Sequence, residues 1–277
     1  MFSFESWAQS HRLPFEKRLH TIFQDRFPEK LAEATNYPLT TGGKRIRPLF
    51  VFAAAEAIGG FSEKSALCSA LSVELIHTYS LVHDDLPCMD NDDFRRGKPT
   101  VHKKYGEAEA LLVGDALLTE AFTILSDSPH LSQALPLIGK AAGISGMIGG
   151  QSIDIGFEGA IETVERLTLL HTKKTGALIS VAIQLGGIAA QATPIQQEQL
   201  ETYGNAVGLA FQLADDLLDA EEDQKADGPP NFVKLLGYQE TKDRARQCYE
   251  SAISAIQDLP NPQALKALAK FSIARSH

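Results

Sequence analysis

Six aspartates carry the chemistry most plainly written in this chain. Asp215, Asp216 and Asp219 lie in FQLADDLLD. Asp215 and Asp219 are four residues apart, so on a helix both carboxylates leave from one face. Like charges at that spacing weaken an isolated helix, and a cation between them offsets the repulsion. Asp84, Asp85 and Asp90 lie in HDDLPCMDNDDFRRGKPT, with Asp92 and Asp93 following. Pro87 disturbs the helix here and can turn the chain so that Asp90 reaches the same ion. Hard divalent cations prefer carboxylate oxygens, and Mg²⁺ keeps places for water and substrate phosphate. The plain alternative for either cluster is a solvated acidic surface, because charge runs are usually surface. Yet the clusters stand 131 residues apart, each at the end of an apolar helix. That pairing reads as facing walls of one cavity, with Mg²⁺ held on a shared diphosphate. Metal and cationic side chains assist the departure of such a group by stabilising its developing charge.

The cations that a phosphate needs occur in compact groups. GGKRIRP places Lys44 and Arg47 three residues apart, on one face if the segment is helical. Gly42 and Gly43 give backbone N–H groups room to approach an anion. His77 precedes Asp84 by seven residues, two helical turns, so both point the same way. Arg95 and Arg96 offer planar forked donors. Lys173, Lys174 and Thr175 form a third group.

These residues need helices to position them. Leu67 to His83, Leu111 to Leu125 and Tyr203 to Leu218 all repeat apolar residues at helical spacing. Alternating runs are scarce and no Asn-Gly hairpin signal occurs, so the expected class is all-α, with helices of about 12 to 20 residues. Breaks are expected at Pro28, Thr41 to Gly43, Gly59-Gly60, Pro87 to Pro99, Ser126 to Pro129, Thr193-Pro194, Asp227 to Pro230 and Pro260 to Pro262. None is long enough for a linker, so residues 1–277 read as one domain. The small-residue stretches AAGISGMIGG (Ala141 to Gly150) and GGIAAQA (Gly186 to Ala192) are expected to let helices approach closely, with a loop as the alternative around Gly149 and Gly150.

Composition narrows the partners. A net charge of −9 argues against a broad nucleic-acid surface, so an anionic substrate must be met locally. Cys68, Cys88 and Cys248 are odd in number and have no C-x-x-C spacing, which fits a reducing cytoplasm without a disulfide framework. The N-terminus shows no basic and apolar signal-peptide pattern, and no run of 18 apolar residues predicts a membrane span.

The motifs GGKRIRP, ELIHTYSLVHDDLPCMDNDDFRRGKPT, GDALLTEAF, GGQSIDI, KKTGAL and GLAFQLADDLLD run in order from Gly42 to Asp219. In this the chain resembles the trans-isoprenyl diphosphate synthases, specifically the bacterial farnesyl diphosphate synthase type. The resemblance implies a single large helical bundle of the isoprenoid synthase type with a central cavity. It implies a homodimer that joins isopentenyl diphosphate to dimethylallyl or geranyl diphosphate, with the fifteen-carbon farnesyl diphosphate as main product. It assigns Mg²⁺, three ions per active site and replaceable by Mn²⁺, to Asp84, Asp85, Asp90, Asp215, Asp216 and Asp219. Arg95, Lys174 and Lys225 would contact the allylic diphosphate. Gly43, Lys44, Arg47, His77 and Arg96 match the isopentenyl diphosphate site. Thr175 and Gln212 match positions beside the reacting carbons, Phe211 a wall of the homoallylic site, and Gln151 and Asp154 a supporting shell. Tyr79, five residues before Asp84, with small Ser80 beside it, matches the floor that limits chain length.

One departure follows the second aspartate motif. The family carries a longer loop with Gly-Lys and then Lys-x-Thr-Tyr-Pro, where this chain has AEEDQKADGPPNFVKLLG. Lys225 and Lys234 are the candidates for the phosphate-closing lysine. The competing readings are a geranylgeranyl diphosphate synthase, a class I terpene cyclase and an inactive partner subunit. A cyclase needs no second diphosphate site, which the set Lys44, Arg47 and Arg96 supplies. An inactive subunit would be marked by loss of the aspartates, and all six are present.

Overall fold

A computed structural model describes residues 2–222 and 229–273. The protein is all-α, with fourteen α-helices and one π-helical turn among the described residues. The chain groups into two compact units. One takes in Met1–Leu49 and Glu63–Leu131, the other Phe50–Ser62 and Ser132–His277.

The first unit holds α1 (Phe4–Leu19), α2 (Glu29–Thr40), the opening of α3 (Ile46–Ile58), α4 (Glu63–Asp84), α5 (Val101–Tyr105) and α6 (Glu107–Ser126). Its central element is α4, buried on nearly all sides from Ser65 to Val82. A helix that is apolar all round must lie within a core. α4 is long and apolar enough to pass for a membrane span by length and composition alone, but 78% of its most apolar window is buried, as in a core helix. It packs along α6. The Ser72 hydroxyl donates to the Ala121 carbonyl at 2.7 Å and the Ser65 and Ser128 hydroxyls pair at 3.0 Å, so these two buried serines of the helix are satisfied. Arg26 grips Glu120 of α6 with both arms, at 2.7 and 2.8 Å.

A hairpin that the sequence reading lacked follows α4. Strands β1 (Phe94–Arg95) and β2 (Lys98–Pro99) pair antiparallel, Phe94 with Pro99 and Arg95 with Lys98. Its two turn residues, Arg96 and Gly97, both have positive φ, 54° and 73°. That is the hairpin turn normally signalled by Asn-Gly. Arg in the first position hid it. The Arg96 guanidinium donates to the Gly42 carbonyl, a tertiary contact that holds the unfavourable backbone conformation.

The second unit holds the rest of α3, then α7 (Leu131–Ala142), α8 (Met147–Asp154), α9 (Val164–His171), a π-helical turn (Thr172–Gly176), α10 (Ala177–Ala189), α11 (Pro194–Glu222), α12 (Phe232–Leu236), α13 (Tyr238–Ala255) and α14 (Gln263–Ile273). The 29-residue α11 packs against α10 and α13. The buried Tyr203 of α11 donates its hydroxyl to the Leu265 carbonyl of α14 at 2.7 Å.

The small residues act as expected at Gly186, where a Cβ would stand 2.3 Å from the Val51 carbonyl oxygen, so α10 and α3 meet backbone to backbone. The stretch Ala141 to Gly150 is not one helix. α7 ends at Ala142, and a turn through Gly143 to Gly146 leads into α8, which includes Gly149 and Gly150 as helical residues. A Cβ at Gly146 would stand 2.0 Å from the Ala141 carbonyl oxygen, so this tight break needs glycine.

Candidate active site

In the first unit, α4 delivers Asp84 at its last residue. The chain then turns through Pro87, and the Asp90 amide donates to the Asp84 carbonyl at 2.9 Å. The redirection expected of Pro87 thus brings Asp90 back beside Asp84. Asp84 is half-buried and Asp90 exposed. Asp85 differs: it is 3% exposed, and its carboxylate accepts from Arg95 Nε at 2.7 Å. Burial raises its pKa, Arg95 opposes that rise, and the charges of Asp92 and Asp84 add to it. Arg95 also meets Asp92 at 3.4 Å.

In the second unit the second motif repeats this division. Asp215 is half-buried and Asp219 exposed, on one face of α11. Asp216 is 7% exposed and accepts from the Phe232 amide at 2.6 Å. Burial raises its pKa to about 6, with Asp219 and Asp215 contributing. In each motif, therefore, the outer two aspartates reach toward solvent and the middle one is spent inside the protein. Phe211 and Gln212 are half-buried on the same helix, one turn before Asp215 and Asp216.

The basic residues of the first unit gather around His77. Burial is the first cause holding its imidazole well below its usual pKa, and the charges of Arg47, Arg96, Arg45 and Arg95 add to it. Arg45 and Arg95 are paired with Glu74 and Asp85, and the charges of Arg47 and Arg96 beside the imidazole suit an anion. Lys44 is not helical, so the condition for sharing a helix face with Arg47 is not met. It lies in the turn before α3, whereas Arg47 is in the first turn of that helix. Gly43 has φ 137°, and a Cβ there would stand 2.7 Å from Arg96 Nη1. The missing side chain at Gly43 thus makes room for Arg96.

Arg45 was not among the expected site residues, yet it organises this loop. It is buried, has φ 52°, and donates to Glu74 at 2.8 Å and to the Leu39 carbonyl at 2.6 Å. The signal was Glu74, a lone acid within the apolar run of α4, since such an acid is seldom fully buried without a partner. Tyr37 also supports the site, donating to the Pro99 carbonyl of the hairpin at 2.8 Å.

In the second unit, Lys173, Lys174 and Thr175 lie on the π-helical turn, a local distortion frequent at functional sites. Two glycines admit it. A Cβ at Gly150 would stand 2.2 Å from the Lys174 amide nitrogen, and one at Gly208 2.9 Å from Gly176 Cα. Lys174 pairs with Asp154 of α8 at 2.5 Å. Lys173 donates to the Ser145 carbonyl at 2.8 Å. Gln151 lies half-buried on α8. Lys225 lies outside the described residues. Lys234 is exposed on α12, whose start is capped by Asn231.

Tyr79 and Ser80 lie on α4, the former 5% exposed and the latter half-buried. Among the described residues no three His, Cys, Asp or Glu side chains form a ready metal cage. That does not disagree with Mg²⁺, which is commonly held by one or two carboxylates plus substrate phosphates. Asp84 with Asp90, and Asp215 with Asp219, are donor sets of this kind.

Comparison with known proteins agrees with this arrangement. The polyprenyl synthetase family matches residues 28–232. The farnesyl diphosphate synthase of Haemophilus influenzae is 43% identical over 263 residues, covering 88% of each chain. That of Escherichia coli is 40% identical over 272 residues, covering 89% of each. A solved farnesyl/geranylfarnesyl diphosphate (FPP/GFPP) synthase from Zymomonas mobilis superposes with a TM-score of 0.89 at 34% identity, covering 98% of this chain and 99% of that one. An all-helical chain with two aspartate-rich motifs and clustered basic residues fits a class of prenyl-transferring enzymes. This chain belongs to the polyprenyl synthetase family.

Proposed function

We propose that the protein is a short-chain prenyltransferase that condenses isopentenyl diphosphate with dimethylallyl or geranyl diphosphate, making mainly farnesyl diphosphate and releasing diphosphate. The observation that supports this reading is that the charges of Arg47 and Arg96, neither of them given to the allylic diphosphate, both act on His77. They offer an anion a place in addition to the two aspartate motifs, and a reaction between two diphosphates needs both. A terpene cyclase needs only one.

In this reading Asp84, Asp85, Asp90, Asp215, Asp216 and Asp219 serve Mg²⁺. The outer pairs hold it, while Asp85 and Asp216 fix Arg95 and the start of α12. The metal supplies charge that stabilises the departing diphosphate. Arg95 and Lys174 contact the allylic diphosphate, with Lys174 oriented by Asp154. Gly43, Lys44, Arg47, His77 and Arg96 receive isopentenyl diphosphate. Thr175, Phe211 and Gln212 line the reacting carbons. The double bond of isopentenyl diphosphate attacks the allylic cation and a proton leaves. His77 is a poor acceptor for it, given the charges around it, so the released diphosphate takes the proton. Tyr79 closes the floor of the prenyl pocket, with Ser80 beside it.

We also propose that residues 1–277 act as one catalytic domain, as a homodimer in the cytoplasm. Family membership and similarity to bacterial farnesyl diphosphate synthases over 88–89% of the chain support this. The test is product analysis with labelled isopentenyl diphosphate and each allylic primer, with Mg²⁺ and with excess chelator. Farnesyl diphosphate made only with metal is the expected result. Conversion of geranyl diphosphate without isopentenyl diphosphate, or full activity in chelator, overturns the reading. A monomer mass in sedimentation at micromolar concentration overturns the dimer.

A further inference from the structure

Tyr79 and His83 lie one turn apart on α4, and their rings meet edge to face with centroids 5.7 Å apart. The His83 imidazole then rests on α6. Its Nε2 is 3.1 Å from the Leu111 carbonyl oxygen. Directly beneath the ring is Gly114. A Cβ there would stand 1.9 Å from Nε2, 2.3 Å from Cδ2 and 2.7 Å from Cε1. Carbon atoms in ordinary contact sit about 3.5 to 4 Å apart. No methyl group can share that space with the imidazole.

Gly114 lies in the interior of a 20-residue helix, and its backbone is not in the left-handed region. Glycine in such a place costs about 1 kcal/mol relative to alanine. Backbone geometry does not require it, whereas the His83 ring does. Tyr79 in turn is 5% exposed, and its hydroxyl has no hydrogen-bond partner among the described residues. No polar contact fixes the tip of the ring, so packing decides where it stands. His83 is the aromatic neighbour that it meets.

We propose that Gly114 is a specificity-determining residue, which sets product length by admitting the His83 ring against α6 and so fixing the position of Tyr79. The inference rests on the reading of Tyr79 as the floor of the prenyl pocket. Tyr79 stands five residues before Asp84, about 7.5 Å along the helix axis at roughly 1.5 Å per residue. His83 lies between them in sequence, one turn above the floor. In Gly114→Ala the methyl expels the imidazole from α6. The ring swings onto Tyr79 and presses it into the path of the growing chain, so elongation stops earlier. In His83→Ala the brace is lost, Tyr79 gives way, and elongation goes further. In the double variant the new methyl meets no ring.

The experiment is chromatography of dephosphorylated products from dimethylallyl diphosphate and excess isopentenyl diphosphate. It compares the wild type with Tyr79→Ala, Gly114→Ala, His83→Ala and the Gly114→Ala/His83→Ala double variant. The expected result is a severalfold higher ratio of ten- to fifteen-carbon product for Gly114→Ala, and new twenty-carbon product for His83→Ala. The double variant should follow His83→Ala. An unchanged profile in Tyr79→Ala overturns the floor reading, and this inference falls with it. Lengthening in Tyr79→Ala beside wild-type profiles for Gly114→Ala and the double variant overturns this inference alone. Should Gly114→Ala not fold, a wild-type profile in folded His83→Ala overturns it equally.

Discussion

The Arg45 guanidinium stands 2.8 Å from the Glu74 carboxylate, and the two side chains are 1% and 3% exposed. Glu16 adds a second acid 3.5 Å from Arg45 Nε. Arg45 joins the end of α2, through the Leu39 carbonyl, to the middle of α4, and the loop bearing Lys44 hangs between. Removing one member of a buried pair leaves an uncompensated charge, typically at a loss of about 3–5 kcal/mol. Glu74→Gln should therefore lower unfolding stability by roughly that amount in urea titration, and raise the KM for isopentenyl diphosphate. Arg45→Met/Glu74→Leu should lose less than the two single changes together. Additive losses would show that the pair is not coupled.

The split between outer and inner aspartates predicts unequal mutants. Asp84→Ala and Asp215→Ala should each lower kcat by about 10²–10³, the usual size of one lost electrostatic contact to a departing group. Asp216→Asn keeps an oxygen for the Phe232 amide. It should lose far less turnover than Asp215→Ala. Steady-state kinetics across a Mg²⁺ titration measures both, and equal losses in the inner and outer variants would refute the division.

Lys44 is exposed in the loop before α3, beside the arginines that face His77. Lys44→Ala should raise the KM for isopentenyl diphosphate much more than that for geranyl diphosphate. Equal rises would show that the two diphosphate places are wrongly assigned or strongly coupled.

His171 closes α9 with its ring 5.4 Å from that of Phe232. Burial lowers its pKa from 6.5 to about 4; Asp154 opposes this and Lys174 adds to it. Between those values the unfolded chain holds a proton that the folded imidazole refuses. Stability is then complete above about pH 6.5 and falls as pH drops toward 4. The loss is at most roughly 3 kcal/mol, taking 1.36 kcal/mol per unit. Thermal unfolding from pH 7 to 4 should show a shallower acid limb in His171→Phe than in the wild type. Parallel limbs would place the acid sensitivity elsewhere.

Much was legible in the sequence because it is local. Apolar spacing marked α4 and α11, and Pro28, Gly59 and Pro194 stand at helix ends, where a missing N–H or a positive φ is tolerated. The two aspartate motifs and the order of the six motifs from Gly42 to Asp219 pointed to its family without coordinates. Tertiary structure decided which carboxylate faces where. HDD and ADD each show adjacent, chemically identical aspartates, and only burial against Arg95 and the Phe232 amide separates Asp85 and Asp216 from their neighbours. The hairpin at Arg96 and the burial of Arg45 depend on partners 54 and 29 residues away, Gly42 and Glu74. The same holds for Gly114. Its sequence reads as an ordinary helix interior, and only the His83 ring arriving from another helix shows what a side chain there would displace.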